Sequence, residues 1–272
     1  MRWKELRSPK VGLDVKTLLQ LLGICVWHYI TKRITYLGAS EIFEKTHATL
    51  ESHQTTSERS MFASLAQVFT DTGEGMIVRG DSFKWDVKIQ GSPHLSEESA
   101  NSLLFRAIDV YKKHHNNQPP NRVVIHKSSR FSDEERNGFR IACQDVPNHD
   151  FLSLGDGRDA LFFRYGEKPI LRGTLVLLAR NSSLIYTTGY VPYLRQYKGP
   201  RIPRPLEISQ HFGDSTKEEL ARELIALTRL NWNTADYSCS MPITLEFAHR
   251  VGAILGKVPA GAKVQEQYRY YM

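Results

Sequence analysis

The sequence predicts an α/β protein with a mixed β-sheet flanked by helices, and two observations lead to this fold class. Short β-branched runs alternate with segments of helical period along most of the chain. One run, residues 122–126, is apolar on both faces and is typical of a strand in the centre of a sheet. A pair of strands, a helix, a central strand and then alternating elements together indicate a sheet covered by helices.

The first predicted elements are a hairpin and a helix. Residues 64–69 and 75–80 flank the turn signal at 70–73, which is the pattern of a β-hairpin. A helix begins near Ser96 and ends at the Asn- and Pro-rich residues 116–120. Its apolar positions follow the helical period: Leu103, Leu104, Ala107, Ile108 and Tyr111.

The second half of the chain predicts three more helices and several strands. Ser132 with Glu135, and Ser215 with Glu218, have the spacing of capping boxes that begin two of these helices. A last helix contains Phe247 and Val251. Strands are predicted at 161–164, 173–179 and 183–188. Between the last of these strands and the second helix, three prolines within residues 199–205 predict an extended, irregular crossing.

Composition limits the classes of protein to consider. The 272 residues are 41% hydrophobic and 24% charged, which are ordinary values for a globular domain. A net charge of +7 favours a polyanionic partner without requiring one. Cys25, Cys143 and Cys239 are too sparse for a zinc site or a disulfide framework, which indicates a reducing, cytoplasmic location. The apolar stretch 18–27 is about half the length of a membrane span, so we expect a buried helix there and no membrane partner.

A series of short stretches gives a specific resemblance. The stretches are Ala66 to Phe69, Gly73 to Gly75, Pro93 to Leu95, Val123 to Ser129, Leu171 to Thr174, Tyr186 to Tyr190, Leu227 to Asn233, Pro242 to Thr244 and Tyr270 to Met272. In order and spacing they resemble the PIWI domain of prokaryotic Argonaute proteins, and most closely the catalytically inactive, long-type branch. The resemblance implies an RNase H-like fold for residues 61–272. Residues 1–60 match no part of the family, and we expect them to be an unassigned, helical N-terminal segment.

The resemblance also implies that the nuclease site is degenerate. Cleaving relatives use carboxylates to hold two divalent metals that activate water. Ser128 occupies the position of the key Asp after the central strand, and a neutral hydroxyl cannot bridge two cations. Another Asp is expected just before the hairpin, yet residues 46–60 contain none. His249 matches the fourth ligand position, and without its carboxylates it is an isolated histidine, so we expect no enzyme activity.

The residues expected to bind nucleic acid lie where the family contacts guide phosphates. Phosphates are held by cationic and amide side chains and by backbone N–H groups. The terminal carboxylate of Met272 would lie beside the guide 5′ phosphate and share a Mg²⁺ with it. For each side chain the alternative is an ordinary surface, capping or core role. The side chains are Lys127, Arg204, Arg229, Asn231, Asn233 and Ser240, with Trp232 between the two asparagines.

These expectations combine into a guide-dependent binding protein of prokaryotic defence against foreign DNA. Its partners would be a guide RNA or DNA strand and the complementary target. One alternative is a truncated or split Argonaute half that needs a separate MID-containing protein. Another is a metal-dependent guided nuclease that uses Asp14, a second acid such as Asp86, and His249.

Overall fold

In a computed structural model, the described residues form a nine-stranded mixed sheet with helices on both of its faces. The structure describes residues 34–39, 43–45, 59–69, 75–85, 94–157, 161–178, 182–195, 202–231, 234, 236–255, 265, 267 and 270. The strands are β1 Ile34–Ala39, β2 Phe43–Lys45, β3 Arg59–Phe69, β4 Gly75–Trp85, β5 Arg122–Lys127, β6 Asn148–Asp156, β7 Leu175–Leu177, β8 Ser183–Ile185 and β9 Leu206–Gly213. The described helices are α1 Glu97–His114, α2 Asp133–Ala142, α3 Lys217–Leu227 and α4 Ile243–Leu255.

Three parallel strands form the centre of the sheet. The strand order is β2-β3-β1-β5-β6-β9-β8-β7, with β4 paired to β3. Strand β5 runs parallel to both β1 and β6, whereas β3 and β9 pair antiparallel outside them. Ala39, Lys127 and Ser153 share one register line at the carboxyl ends of the central strands. Ligand sites of open α/β sheets commonly lie at this edge, so it is the first place to look for a site.

The core consists of two apolar layers, one on each face of the sheet. Val123 and Ile125 pack with α1 and α2, whereas Val124 between them packs with α3 and α4. This division follows from the period of two along a strand. Both faces of β5 are therefore covered, which confirms the central strand predicted from its continuous apolar run.

The structure confirms most of the predicted helices and the first hairpin. The hairpin forms from β3 and β4 and is longer than predicted. Ser96 caps α1, and Ser132 with Glu135 forms the predicted capping box of α2. The capping box of α3 lies one residue later than predicted, at Thr216 and Glu219.

Several predicted strands are wrong in position or extent. Residues 161–164 form no strand, and the strands predicted at 173–179 and 183–188 are three residues each. Strands β6 and β9 were missed because each contains polar residues that are buried only by tertiary partners. Strands β1 and β2 also belong to the sheet, which therefore begins before residue 61. The helix predicted at 18–27 lies outside the described residues.

A buried carboxylate joins the strands to α3. Asp150 is fully buried and accepts hydrogen bonds from Arg122 Nε at 2.8 Å and from His211 Nε2 at 2.8 Å. The backbone N–H and the hydroxyl of Ser215 donate to the same carboxylate at 3.1 and 2.7 Å. Arg122 also pairs with Glu223 of α3. Because Ser215 is used in this way, the capping box begins at the next residue.

We predict that Gly138→Ala destabilises the protein, because α2 crosses the start of α1 at this glycine. A Cβ at position 138 would lie 2.2 Å from Glu97 O and 2.9 Å from Ala100 Cβ. Overpacking of this kind costs about 1–3 kcal/mol. Gly155→Ala is the matched control, because a Cβ there meets nothing within 4 Å. Urea unfolding measures both, and equal stability of Gly138→Ala and wild type would contradict the tight crossing.

We also predict that Asp150 makes stability depend on pH. Burial raises the pKa of this carboxyl, but hydrogen bonds from His211 and Ser215 and the charge of Arg122 outweigh burial and hold the pKa well below its usual range. The stabilisation is therefore complete above the ordinary Asp pKa of about 3.9 and is lost as pH falls below it.

Asp150→Asn tests this prediction, because breaking a buried ion pair costs about 3 kcal/mol or more at neutral pH. Its free energy of unfolding should approach that of wild type as the pH falls below about 4. Asp145→Asn, a change at a side chain that is 82% exposed, is the control and should stay within about 0.5 kcal/mol. A pH-independent difference between Asp150→Asn and wild type would contradict the prediction.

Candidate nucleic-acid interface

The carboxyl ends of β1 and β5 carry no acidic residue. Strand β1, residues 34–39, contains neither Asp nor Glu, and Ser40 follows it in the sequence. Ser128 directly follows β5, and its Oγ is buried with no hydrogen-bond partner among the residues that the structure describes. The earlier strand that lies beside β5 is thus β1, which precedes both β2 and the hairpin and lies outside the segment 46–60 in which an Asp was expected. Ser128 thus places a hydroxyl where the resemblance implies a carboxylate.

His249 lies on α4, the helix that packs against β1 and β5. Its Nε2 is buried and accepts or donates no hydrogen bond within the described part of the chain. Within the same part of the chain, no group of three His, Cys, Asp or Glu side chains is arranged to hold a metal ion. Asp14 and Asp86 lie outside the described residues.

The structure places Lys127 inside the protein. Its side chain is 10% exposed, and Nζ lies 2.6 Å from both carboxylate oxygens of Glu135 and 3.3 Å from Arg130 O. Burial lowers the pKa of Lys127, although the charge of Glu135 opposes this. Glu135 also accepts from the backbone N–H groups of Leu95 and Ser132. Partners within the fold use all the donors of the ammonium, so the contacts of Lys127 favour the structural role over phosphate binding.

The stretch Leu171 to Thr174 forms a tight turn that positions an arginine. Gly173 has φ +89, a conformation that favours glycine, and Thr174 N donates to Leu171 O at 3.2 Å. Arg172 reaches the end of α3, where Nη2 donates to Ile225 O at 2.9 Å and to the Thr228 hydroxyl at 2.8 Å. Its Nε is buried and has no hydrogen-bond partner in the described part of the chain. Two hydrogen bonds from Nη2 therefore anchor one edge of this guanidinium to the end of α3.

A second guanidinium lies against the same tyrosine. Cζ of Arg229 is 4.6 Å from the ring centroid of Tyr237, and Cζ of Arg172 is 5.6 Å from it. Neither arginine forms an ion pair with a carboxylate of the described residues. Burial lowers the pKa of Arg172, and the nearby charge of Arg229 acts in the same direction. Two cations held together without a counter-ion favour an anionic ligand.

Arg204 and Ser240 are both exposed, as expected of residues that contact a ligand. Arg204 lies between the buried Pro203 and Pro205, and Gly157 N donates to Pro205 O at 3.0 Å. Its backbone is therefore fixed while its side chain remains without an ion pair in the described part of the molecule. The Ser240 carbonyl accepts from the Thr187 hydroxyl at 2.7 Å, which leaves the Ser240 side chain at the surface before α4.

Asn231 is buried and forms a hydrogen bond within the fold. It is 6% exposed, and its Nδ2 donates to Glu246 Oε2 of α4 at 3.0 Å. Its amide group therefore links the end of α3 to α4, and little of its hydrogen-bonding capacity remains for a phosphate. Trp232, Asn233 and Met272 lie outside the described residues, so the Mg²⁺ expected beside Met272 stays a prediction.

Arg172 and Tyr237 were not among the residues predicted to bind. Arg172 lies in one of the stretches that carry the resemblance, but nothing in the sequence places it beside Arg229, 57 positions away. The signal that was available was the Arg-Gly pair before a predicted strand, since such a turn presents the residue before its glycine. No described helix is long and apolar enough to cross a membrane.

Comparison with known proteins finds likeness in structure and not in sequence. Neither the protein-family profiles nor the curated proteins contain a match to this chain. The Argonaute of Clostridium butyricum, solved with a guide DNA and a 19-mer target DNA, is 17% identical with a TM-score of 0.57, covering 93% of this chain and 33% of its own. The Argonaute of Marinitoga piezophila, solved with a 5′ OH guide RNA, is 16% identical with a TM-score of 0.56, covering 90% and 32%. The Argonaute of A. aeolicus is 17% identical with a TM-score of 0.56, covering 88% and 31%.

These values establish the fold. The match to about 90% of this chain, together with the mixed sheet flanked by helices, confirms the resemblance on which the sequence analysis relied. The chain spans about a third of the length of the solved Argonautes that it matches. It therefore has the RNase H-like, PIWI-type fold of a segment of prokaryotic Argonautes.

Proposed function

We propose that this chain binds a guide strand and its paired target through their phosphate backbones, without cutting either, in prokaryotic defence against foreign DNA. The observation that carries the proposal is the pair of guanidinium groups of Arg172 and Arg229 on the ring of Tyr237. Solved proteins of the same fold hold guide RNA, or guide and target DNA. A protein of this kind reads backbone shape and leaves sequence to base pairing.

The geometry of the arginine pair suits a phosphate. The guanidinium of Arg172 is held at the end of α3 by Ile225 O and the Thr228 hydroxyl, so binding orders little side-chain conformation. The fork of Arg229, which lies against the same tyrosine ring as Arg172, supplies donors for phosphate oxygens. An anion would also relieve the repulsion between the two charges, a gain that an uncharged ligand could not supply.

The residues at the ends of the central strands support binding without cleavage. Ser128 after β5 and Ser40 after β1 offer hydroxyls where a two-metal site needs carboxylates. His249 on α4 does not compensate, because a single imidazole does not replace carboxylates that bridge two metals. The nuclease that uses Asp14, Asp86 and His249 is the weaker proposal for this reason.

A second candidate function is that of one part of a larger guided assembly. The chain matches about a third of each solved Argonaute chain. We propose that a MID-containing segment or a separate MID-containing protein supplies the remaining contacts to the guide 5′ end. In that case this chain alone should bind weakly, and more tightly when the missing part is supplied.

Arg229→Ala and Arg204→Ala should each weaken binding to all nucleic-acid sequences about equally. Each loses one phosphate contact, which lowers the slope of log affinity against log salt by about one. Fluorescence anisotropy with a labelled guide–target duplex at several salt concentrations measures this slope. Arg140→Ala is the matched control, because Arg140 is exposed on α2, on the opposite face of the sheet from α3. An unchanged slope in both variants would contradict the proposed interface.

The protein should not cleave a target in the presence of a complementary guide and Mg²⁺ or Mn²⁺. The reason is the absence of acidic residues from β1 and from position 128. Gel electrophoresis of labelled target detects cleavage. Guide-dependent products that disappear in His249→Ala or Asp14→Ala would show that a nuclease site exists, and would overturn the proposal of binding without cleavage.

A further inference from the structure

The loop between β6 and β7 leaves aromatic side chains in solvent. Phe163 is 73% exposed and Tyr165 is fully exposed, while Ile202 of the facing segment is 53% exposed. Single exposed apolar residues are common, but several together mark an interaction site. None of the three contributes to either core layer of the described residues, so packing within these layers does not account for them.

The base of this loop is fixed. Phe162 N donates to the hydroxyl of Tyr186, a residue that is wholly buried, at 2.9 Å. At the other end Tyr190 N donates to Ile170 O at 2.9 Å. The aromatic side chains are thus presented from two anchored positions, which reduces the entropy lost when a ligand orders them.

A cavity of about 360 Å³ opens between the loop and the proline-rich crossing. Two cations, Arg164 and Lys168, line it together with one acid, Glu167. All three are exposed and form no ion pair within the described residues. The other lining residues are Phe162, Phe163, Gly166, Pro169, Ile170, Ile202 and Pro203.

We infer that this cavity takes an unpaired nucleobase, which stacks on Phe163 while Arg164 and Lys168 bind the adjoining phosphates. The inference rests on the proposed function and adds to it a base contact beside the backbone contacts. A flat aromatic wall suits a base because every base has a π-face. The two cations outnumber Glu167, and Arg204 of the proposed phosphate interface follows the lining Pro203 directly in the chain.

The charge at the cavity distinguishes this occupant from an apolar protein segment. An aliphatic side chain would fill the cavity without using the cations and would leave them partly desolvated and unpaired. A nucleotide uses both features, because its base is aromatic and its phosphate is anionic. Stacking of this kind tolerates any base, so we expect little preference among sequences.

The test compares two single-stranded oligonucleotides of equal length and charge, a thymidine 12-mer and a 12-mer of abasic residues. Wild type should bind the thymidine strand about tenfold more tightly, and Phe163→Ala should remove most of this preference. Phe163→Trp should retain it. Phe105→Ala is the matched control, because Phe105 is 61% exposed on α1 and does not line the cavity. Arg164→Ala should weaken both strands equally.

Three results would overturn the inference. Equal affinity of wild type for the two strands, with binding retained, refutes the base contact and leaves the proposed function standing. A preference that survives in Phe163→Ala refutes the assignment to this cavity, and a change in self-association in that variant would then identify a protein contact. Failure of wild type to bind either strand or a guide–target duplex would refute the proposed function and this inference together.

Discussion

The carboxylate of Asp150 is the constraint on which the arrangement of the sheet and its covering helices depends. It accepts hydrogen bonds from β5, from β9 and from the residue before the α3 capping box. Arg122 extends the same network to Glu223 in the middle of α3. Removing a charge from water is unfavourable, so the carboxylate is stable only when all of these donors are in place. The network therefore sets where α3 begins, and the end of α3 is where Arg172 and Arg229 meet.

Buried polar groups without partners are few in the described part of the chain, and most of them lie at positions of functional interest. Ser128 Oγ and His249 Nε2 occupy the places where the resemblance puts metal ligands, and Arg172 Nε belongs to the proposed phosphate interface. Folded proteins rarely leave buried polar atoms unpaired, because each such atom costs free energy. Lys127 and Asn231 differ from these atoms, because Glu135 and Glu246 accept hydrogen bonds from their side chains. Satisfied groups of this kind stabilise the domain.

The proposed contacts to nucleic acid depend on backbone that is fixed independently of any ligand. Arg172 lies in a turn that requires its glycine, Arg204 lies between two prolines, and Phe163 follows a residue anchored to the buried Tyr186. All three side chains come from connections between strands, where side chains are free to face a ligand. A rigid presentation of this kind limits the conformational entropy lost on binding.

The sequence by itself determined the elements that local chemistry controls. The central strand follows from its β-branched run, the hairpin from its turn residues, and α1 and α2 from their period and caps, because each signal lies within a few residues. Only the tertiary structure decided which polar residues are buried. Strands β6 and β9 escaped prediction because the partners of Asp150 and Ser153 come from distant segments. For the same reason the sequence could not separate Lys127, which is paired with Glu135, from Arg229, which lies beside a second cation brought from 57 positions away.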